Sequence, residues 1–116
     1  MAWKVQQRRY QEPFRRLTVE QAKELIDSGK VHIIDVRTPE EFALGHIPNA
    51  KLLPVDQLMA RAKELPQDGA LLFVCSVGQR SALAAEIVAA LGRAEELYNL
   101  EGGTEAWAAR GLPLES

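Results

Sequence analysis

With 116 residues the chain is sized for one domain, and such a chain buries about two thirds of the surface it exposes when unfolded, so a hydrophobic core is expected. A single cysteine excludes an intrachain disulfide and a zinc-thiolate cluster, and no apolar stretch approaches membrane-spanning length. The formal net charge is −2, yet residues 1–17 hold Lys4, Arg8, Arg9, Arg15 and Arg16 against Glu12 alone, which leaves the remainder acidic. These basic side chains are spread out and match no nucleic-acid motif, so residues 1–16 read as a solvated extension. Its Trp3, Val5, Tyr10 and Phe14 are able to pack on the domain, residues 17–116, or on a second copy. The cysteine usage, with no recognisable secretion signal, leads to the expectation of a reducing, cytoplasmic setting and of neither nucleic-acid nor membrane partners.

Thr18 opens a capping box with Gln21, and Val19, Ala22, Leu25 and Ile26 repeat at helical spacing until Ser28-Gly29. Val31 to Asp35 reads as a strand. Thr38 and Glu41 form a second capping box with Pro39 at the first helical position, and that short helix ends at Gly45. Ala50 to Leu53 reads as a strand, Asp56 to Leu65 as a helix, and Ala70 to Val74 as another strand. Ser81 to Leu91, rich in alanine and closed by Gly92, reads as a helix. Glu95 to Asn99 is the next expected strand. Thr104 is expected to cap a last helix through Trp107 that stops at Gly111.

Strands alternating with helical segments at these lengths predict an α/β fold, a parallel sheet with helices on both faces. Ligands of such sheets bind beyond the carboxyl ends of the strands. Asp35 ends one strand, Cys75 follows another and Glu101-Gly102-Gly103 follows a third, so the three converge on one rim.

Cys75 is the chemically distinctive residue there. It leaves the apolar run Ala70–Val74 and opens the loop Ser76-Val77-Gly78-Gln79-Arg80, after which a helix starts. A helix start presents unpaired N–H groups and about half a positive charge, which favours a thiolate over a thiol. Gly78 lets the backbone curl its amides inward. A free cysteine is more often an inert core residue, but those lie in mid-strand or on an apolar helix face rather than at a strand's carboxyl end.

Asp35-Val36-Arg37-Thr38-Pro39-Glu40-Glu41-Phe42 with Gly45-His46-Ile47-Pro48-Asn49-Ala50, the loop Cys75 to Arg80, and Leu100-Glu101-Gly102-Gly103 through Ala106-Trp107 stand in the order of three signatures of one family. In these motifs, from about Leu17 to Leu114, the chain resembles the single-domain rhodaneses. The resemblance implies a rhodanese-like fold, a central parallel β-sheet flanked by helices on both faces, with no cofactor or metal. It implies a thiosulfate sulfurtransferase. Cys75 would be the catalytic nucleophile, taking a persulfide sulfur from thiosulfate or another sulfane-sulfur donor and passing it to cyanide or a thiol acceptor. Ser76, Val77, Gly78, Gln79 and Arg80 would form the substrate-binding loop, their amides holding anionic sulfur as an oxyanion hole holds oxygen. A relay carrier that hands its sulfur to a protein partner would use the same chemistry. Ser76 stands where the family often has arginine, so Arg80 is the loop's only cation, available to grip an anionic donor or to tie the loop to a carboxylate.

Phosphatases and arsenate reductases built on a related loop keep five residues between cysteine and arginine, whereas only Ser76 to Gln79 intervene here. Non-catalytic binding modules of the family usually lack the cysteine. Asp35 and Arg37 are candidates for positioning the loop electrostatically, with an Arg37–Glu41 pair at helical spacing as the structural alternative. His46 is expected to be structural, His32 to be a core or face residue, Gly102 and Gly103 to form a tight turn, and Trp107 to pack in the core.

Overall fold

Ala70–Val74 is an unbroken apolar run because it is the central strand, covered on both faces and buried at all five positions. The computed structural model describes residues 11–93 and 96–116 of the chain. Strands β1 (Arg15–Leu17), β2 (Val31–Asp35), β3 (Lys51–Leu52), β4 (Ala70–Val74) and β5 (Leu97–Leu100) form one parallel sheet in the order β1-β5-β4-β2-β3. The helices are α1 (Val19–Asp27), α2 (Pro39–Leu44), α3 (Gln79–Ala90) and α4 (Gly103–Ala109).

Period-two alternation divides the core into two layers. Ile34, Leu71, Phe73 and Leu97 pack with Ala84, Ala85 and Val88 of α3, whereas Ile33, Leu72, Val74, Tyr98 and Leu100 pack with Val19 and Ala22 of α1 and Trp107 of α4. Two polar positions follow from this parity. Cys75 continues the Leu71–Phe73 side and joins the α3 layer. Asn99 has the parity of Leu97 and lies opposite Phe73 in the β4–β5 register.

Both capping boxes form as expected: Gln21 N donates to Thr18 Oγ1 and Glu41 N to Thr38 Oγ1, with each N3 side chain returning to the cap amide. Four expectations change. Residues 56–65 are not one helix but two 3-10 turns, Val55–Gln57 and Ala62–Glu64. The segment is pinned at both ends, by Val55 N donating to Val36 O at 3.0 Å and Lys51 Nζ donating to Glu64 O at 2.9 Å, while Leu58 and Leu65 are buried. A chain held at both ends adopts the turns that fit the span.

Thr104 does not cap α4. Gly102, at φ +77°, is the N-cap, and Thr104 lies buried in the first turn. The side-chain cap is unnecessary because the first-turn amides of Thr104 and Glu105 donate to Cys75 O (2.9 Å) and Ser76 O (3.1 Å). The expected glycine turn is present, with φ of +77° at Gly102 and +61° at Gly103.

β1 lies in the stretch whose charge suggested an extension. Arg15, Arg16 and Leu17 pair with Tyr98, Asn99 and Leu100, and Phe14 is buried in the α3 layer. Trp3, Val5 and Tyr10 fall outside the described residues, as does Glu95, the expected first residue of the strand that the structure begins at Leu97. Helix α3, finally, starts at Gln79 rather than Ser81, with Gly78 as its N-cap at φ +99°. Among the described residues no helix is long and apolar enough to cross a membrane.

Candidate active site

The end of β4 delivers Cys75 to the rim, and Gly78 then turns the chain so that the start of α3 folds back over the sulfur. Gly78 N donates to Cys75 Sγ at 3.1 Å and Ser81 N at 3.3 Å, and Ser81 Oγ stands 3.3 Å from the same sulfur. Cys75 is 1% exposed. Burial is the largest influence on the thiol and opposes its ionisation, but the Ser81 hydroxyl and the amides of Ser81, Gly78 and Val77 together outweigh it and hold the thiol below its ordinary value. Iodoacetamide labelling of the folded protein is therefore expected to titrate with a midpoint below the ~8.5 of a free cysteine. A midpoint at or above that value would mean that burial prevails over the amides.

Gly78 cannot be replaced without consequence. Its φ favours glycine, and a Cβ would stand 3.2 Å from Leu100 O and 3.4 Å from Gly102 N. Val77 and Gln79 are exposed, Ser76 and Arg80 half-buried.

Arg80 is tied to a carboxylate. Its Nη1 donates to Glu41 Oε1 at 2.8 Å and its Nη2 to Glu41 Oε2 at 2.9 Å, in the bidentate geometry natural to guanidinium and carboxylate. Ser76 Oγ donates to Glu41 Oε2 at 3.2 Å and accepts from Arg80 Nη2 at 3.1 Å. Arg80 and the Thr38 amide hold the Glu41 carboxyl well below the usual carboxylate range, and Glu41 in turn raises Arg80. Glu41 is thus a loop-fastening residue that its capping-box position concealed. The signal that points to it is the need of the loop's only arginine for a counter-charge.

Arg37 does not pair with Glu41. Its Nε and Nη2 donate to Asp35 Oδ1 (3.0 Å) and Oδ2 (2.8 Å), and Nη2 also donates to Gly45 O at 2.7 Å. Asp35 and Arg37 are both buried, and Val36 N donates to Val74 O at 2.9 Å, so this pair buttresses the strand end next to Cys75. An open cleft of about 320 Å³ lies on the Ser76 side, between Arg37, Glu41, Leu44, Glu105 and Leu114, and Cys75 itself does not line it.

His46 stacks on Phe42 at 3.7 Å, its Nδ1 lies 2.9 Å from Phe42 O, and its backbone forms a bridge with Glu115. It takes the structural part expected of it. His32 is exposed on β2, a face residue. Trp107 is buried in the α1/α4 layer and donates from Nε1 to Pro113 O at 2.9 Å.

Comparison with known proteins adds an independent line. The family model "Rhodanese-like domain" matches residues 18–110. A protein named sulfurtransferase from Allochromatium vinosum is 39% identical over 93 residues, covering 80% of this chain and 86% of that one. The crystal structure of a rhodanese-related protein from Thermoplasma volcanium superposes with a TM-score of 0.80 at 29% identity, covering 88% of this chain and 98% of that one. A rhodanese-like domain protein from Staphylococcus aureus does so with 0.74 at 38% identity, covering 89% and 100%.

Proposed function

The chain belongs to the rhodanese-like domain family of sulfurtransferases, and on that premise we propose that Cys75 is loaded with a sulfane sulfur from thiosulfate or another donor and delivers it to cyanide or a thiol. The observation that carries this reading is the buried Cys75 sulfur facing the amides of Val77, Gly78 and Ser81 at the carboxyl edge of the sheet. In the first half-reaction the thiolate attacks the donor's outer sulfur. The new Sγ–S bond forms as the donor's S–S bond breaks, and sulfite leaves with the bonding pair. The negative charge then resides on the outer sulfur, where loop amides can hold it. Cyanide attacks that sulfur in the second half-reaction, giving thiocyanate and regenerating the Cys75 thiolate.

Both arginines near the loop are already matched with carboxylates, Arg80 with Glu41 and Arg37 with Asp35. A dianion such as thiosulfate meets little uncompensated positive charge, which favours a less charged hydropersulfide as the faster donor. The test is intact mass after incubation with each donor. Gain of one sulfur atom, reversed by cyanide or dithiothreitol and fastest from the hydropersulfide, is the expected result. No gain from either donor would overturn the function, and faster loading by thiosulfate would overturn the donor preference.

A further inference from the structure

Behind the sulfur lies a polar group that sulfur transfer as described leaves unused. Asn99 is fully buried on β5, on the α3 side of the sheet, and Ser81 is fully buried in the first turn of α3. Asn99 Nδ2 donates to Gly78 O at 3.1 Å, and a carbonyl oxygen can only accept, so this contact fixes the orientation of the amide. Asn99 Oδ1 therefore faces Ser81 Oγ. Oδ1 is also only an acceptor, so the short hydrogen bond between them takes the single Ser81 hydroxyl proton. What Ser81 turns toward Cys75 Sγ is a lone pair, suited to accept from a thiol and unsuited to face a thiolate.

We propose that Asn99 is a positioning residue that sets the direction of the Ser81 hydroxyl and thereby the charge state of Cys75. In the thiol state the bonds close a circuit: Cys75 S–H to Ser81 Oγ, Ser81 O–H to Asn99 Oδ1, Asn99 N–H to Gly78 O, and Gly78 N–H back to Sγ. When the thiol ionises, the hydroxyl supports the sulfur only by turning away from Asn99, which leaves Oδ1 buried and unpaired. Asn99 thus competes with the sulfur for the hydroxyl that, turned toward Sγ, joins the loop amides in favouring the thiolate, and so limits how far the thiol is lowered. Once a sulfane sulfur is bound and the charge has moved outward, the hydroxyl returns to Asn99 at no loss to Sγ.

The charged groups around the sulfur do not duplicate this effect. On α3, Arg80 interacts electrostatically with Cys75 and Asp35 and is paired with Glu41 of α2. Beyond β2, Arg37 is paired with Asp35; on α4, Glu105 faces the loop through its backbone amide. Beyond β5, Glu101 pairs with Arg16.

The experiment is a double-mutant cycle read by the pH dependence of iodoacetamide labelling, so it stands whether or not sulfur transfer does. Asn99→Leu in the Ser81 background should free the hydroxyl for the sulfur and raise the thiolate-to-thiol ratio at a given pH about tenfold. In a Ser81→Ala background the same substitution should change that ratio much less. Equal shifts in both backgrounds, or no shift in the first, would overturn the proposal and leave Asn99 a loop brace. Should Asn99→Leu fail to fold, the S–H infrared band of the protein's single cysteine decides the matter. Below the thiol's titration the wild-type band should lie at the lower frequency of a donating S–H, and Ser81→Ala should raise it. A band unmoved by Ser81→Ala would mean that the hydroxyl does not accept from the thiol, and would sink the proposal.

Discussion

Replacing Cys75 with serine is expected to bring sulfur transfer from any donor down to the rate without protein, while the thermal midpoint moves by only a few degrees. Oxygen cannot take the place of Sγ in a persulfide, and a serine hydroxyl is scarcely ionised in the pH range where the thiolate forms. Removing the nucleophile from a covalent mechanism costs on the order of 10⁶ in turnover where it has been isolated. The fold should survive because an oxygen at this buried position still accepts from the Gly78 and Ser81 amides, so the expected change in stability is about 1 kcal/mol. Thiocyanate production and intact mass read the first effect, thermal unfolding the second. Near-wild-type transfer by a folded Cys75→Ser protein would move the chemistry off this residue and remove the basis of the assignment.

Cys75 is readable from the amino acids alone because its environment is local. The strand that delivers it, the glycine that turns the chain and the helix that follows are consecutive, and each carries its own signal of apolar run, Gly78 and alanine-rich segment. The parallel sheet is readable for the same reason, through the alternation of strands and helices. Contacts made across the chain are not. Arg37 has Asp35 two residues before it and Glu41 four residues after it, and spacing on a helix points to the latter. The backbone instead leaves β2 so that Arg37 is not on α2 at all, and it folds back on Asp35. Glu41 is left free for Arg80, 39 residues away.

The edge strand β1 is hidden differently. It contributes backbone pairing more than side-chain burial, and its Arg15 and Arg16 are exposed, so no apolar alternation betrays it. Asn99 is not legible from the sequence, because a lone polar residue in a strand has no partner close to it in the chain. Only the β4–β5 register and the turn at Gly78 place it behind the sulfur.

Gly103→Ala is expected to be the most disruptive single-methyl change in the molecule, and to damage activity and stability together. At φ +61° the residue is in the left-handed region, where a side chain costs roughly 1–2 kcal/mol. A Cβ there would also overlap the carbonyl oxygen of Cys75 and the carbonyl group of Ser76, which are backbone atoms and cannot rotate aside. Overpacking of that kind adds typically about 1–3 kcal/mol, for a total loss of about 2–5 kcal/mol. Relief requires the loop to move away from α4. That motion breaks the hydrogen bonds from Thr104 N to Cys75 O and Glu105 N to Ser76 O, and so releases the loop whose amides hold the sulfur. Gly111→Ala separates the two causes. Its φ is +74°, but nothing lies within 4 Å of the added methyl, so it should bear only the backbone cost and leave sulfur transfer unchanged. Denaturant unfolding and thiocyanate formation measured on both variants test the account. Equal destabilisation by the two substitutions, with activity retained in Gly103→Ala, would show that the close approach of α4 to the Cys75 loop does not hold the site together.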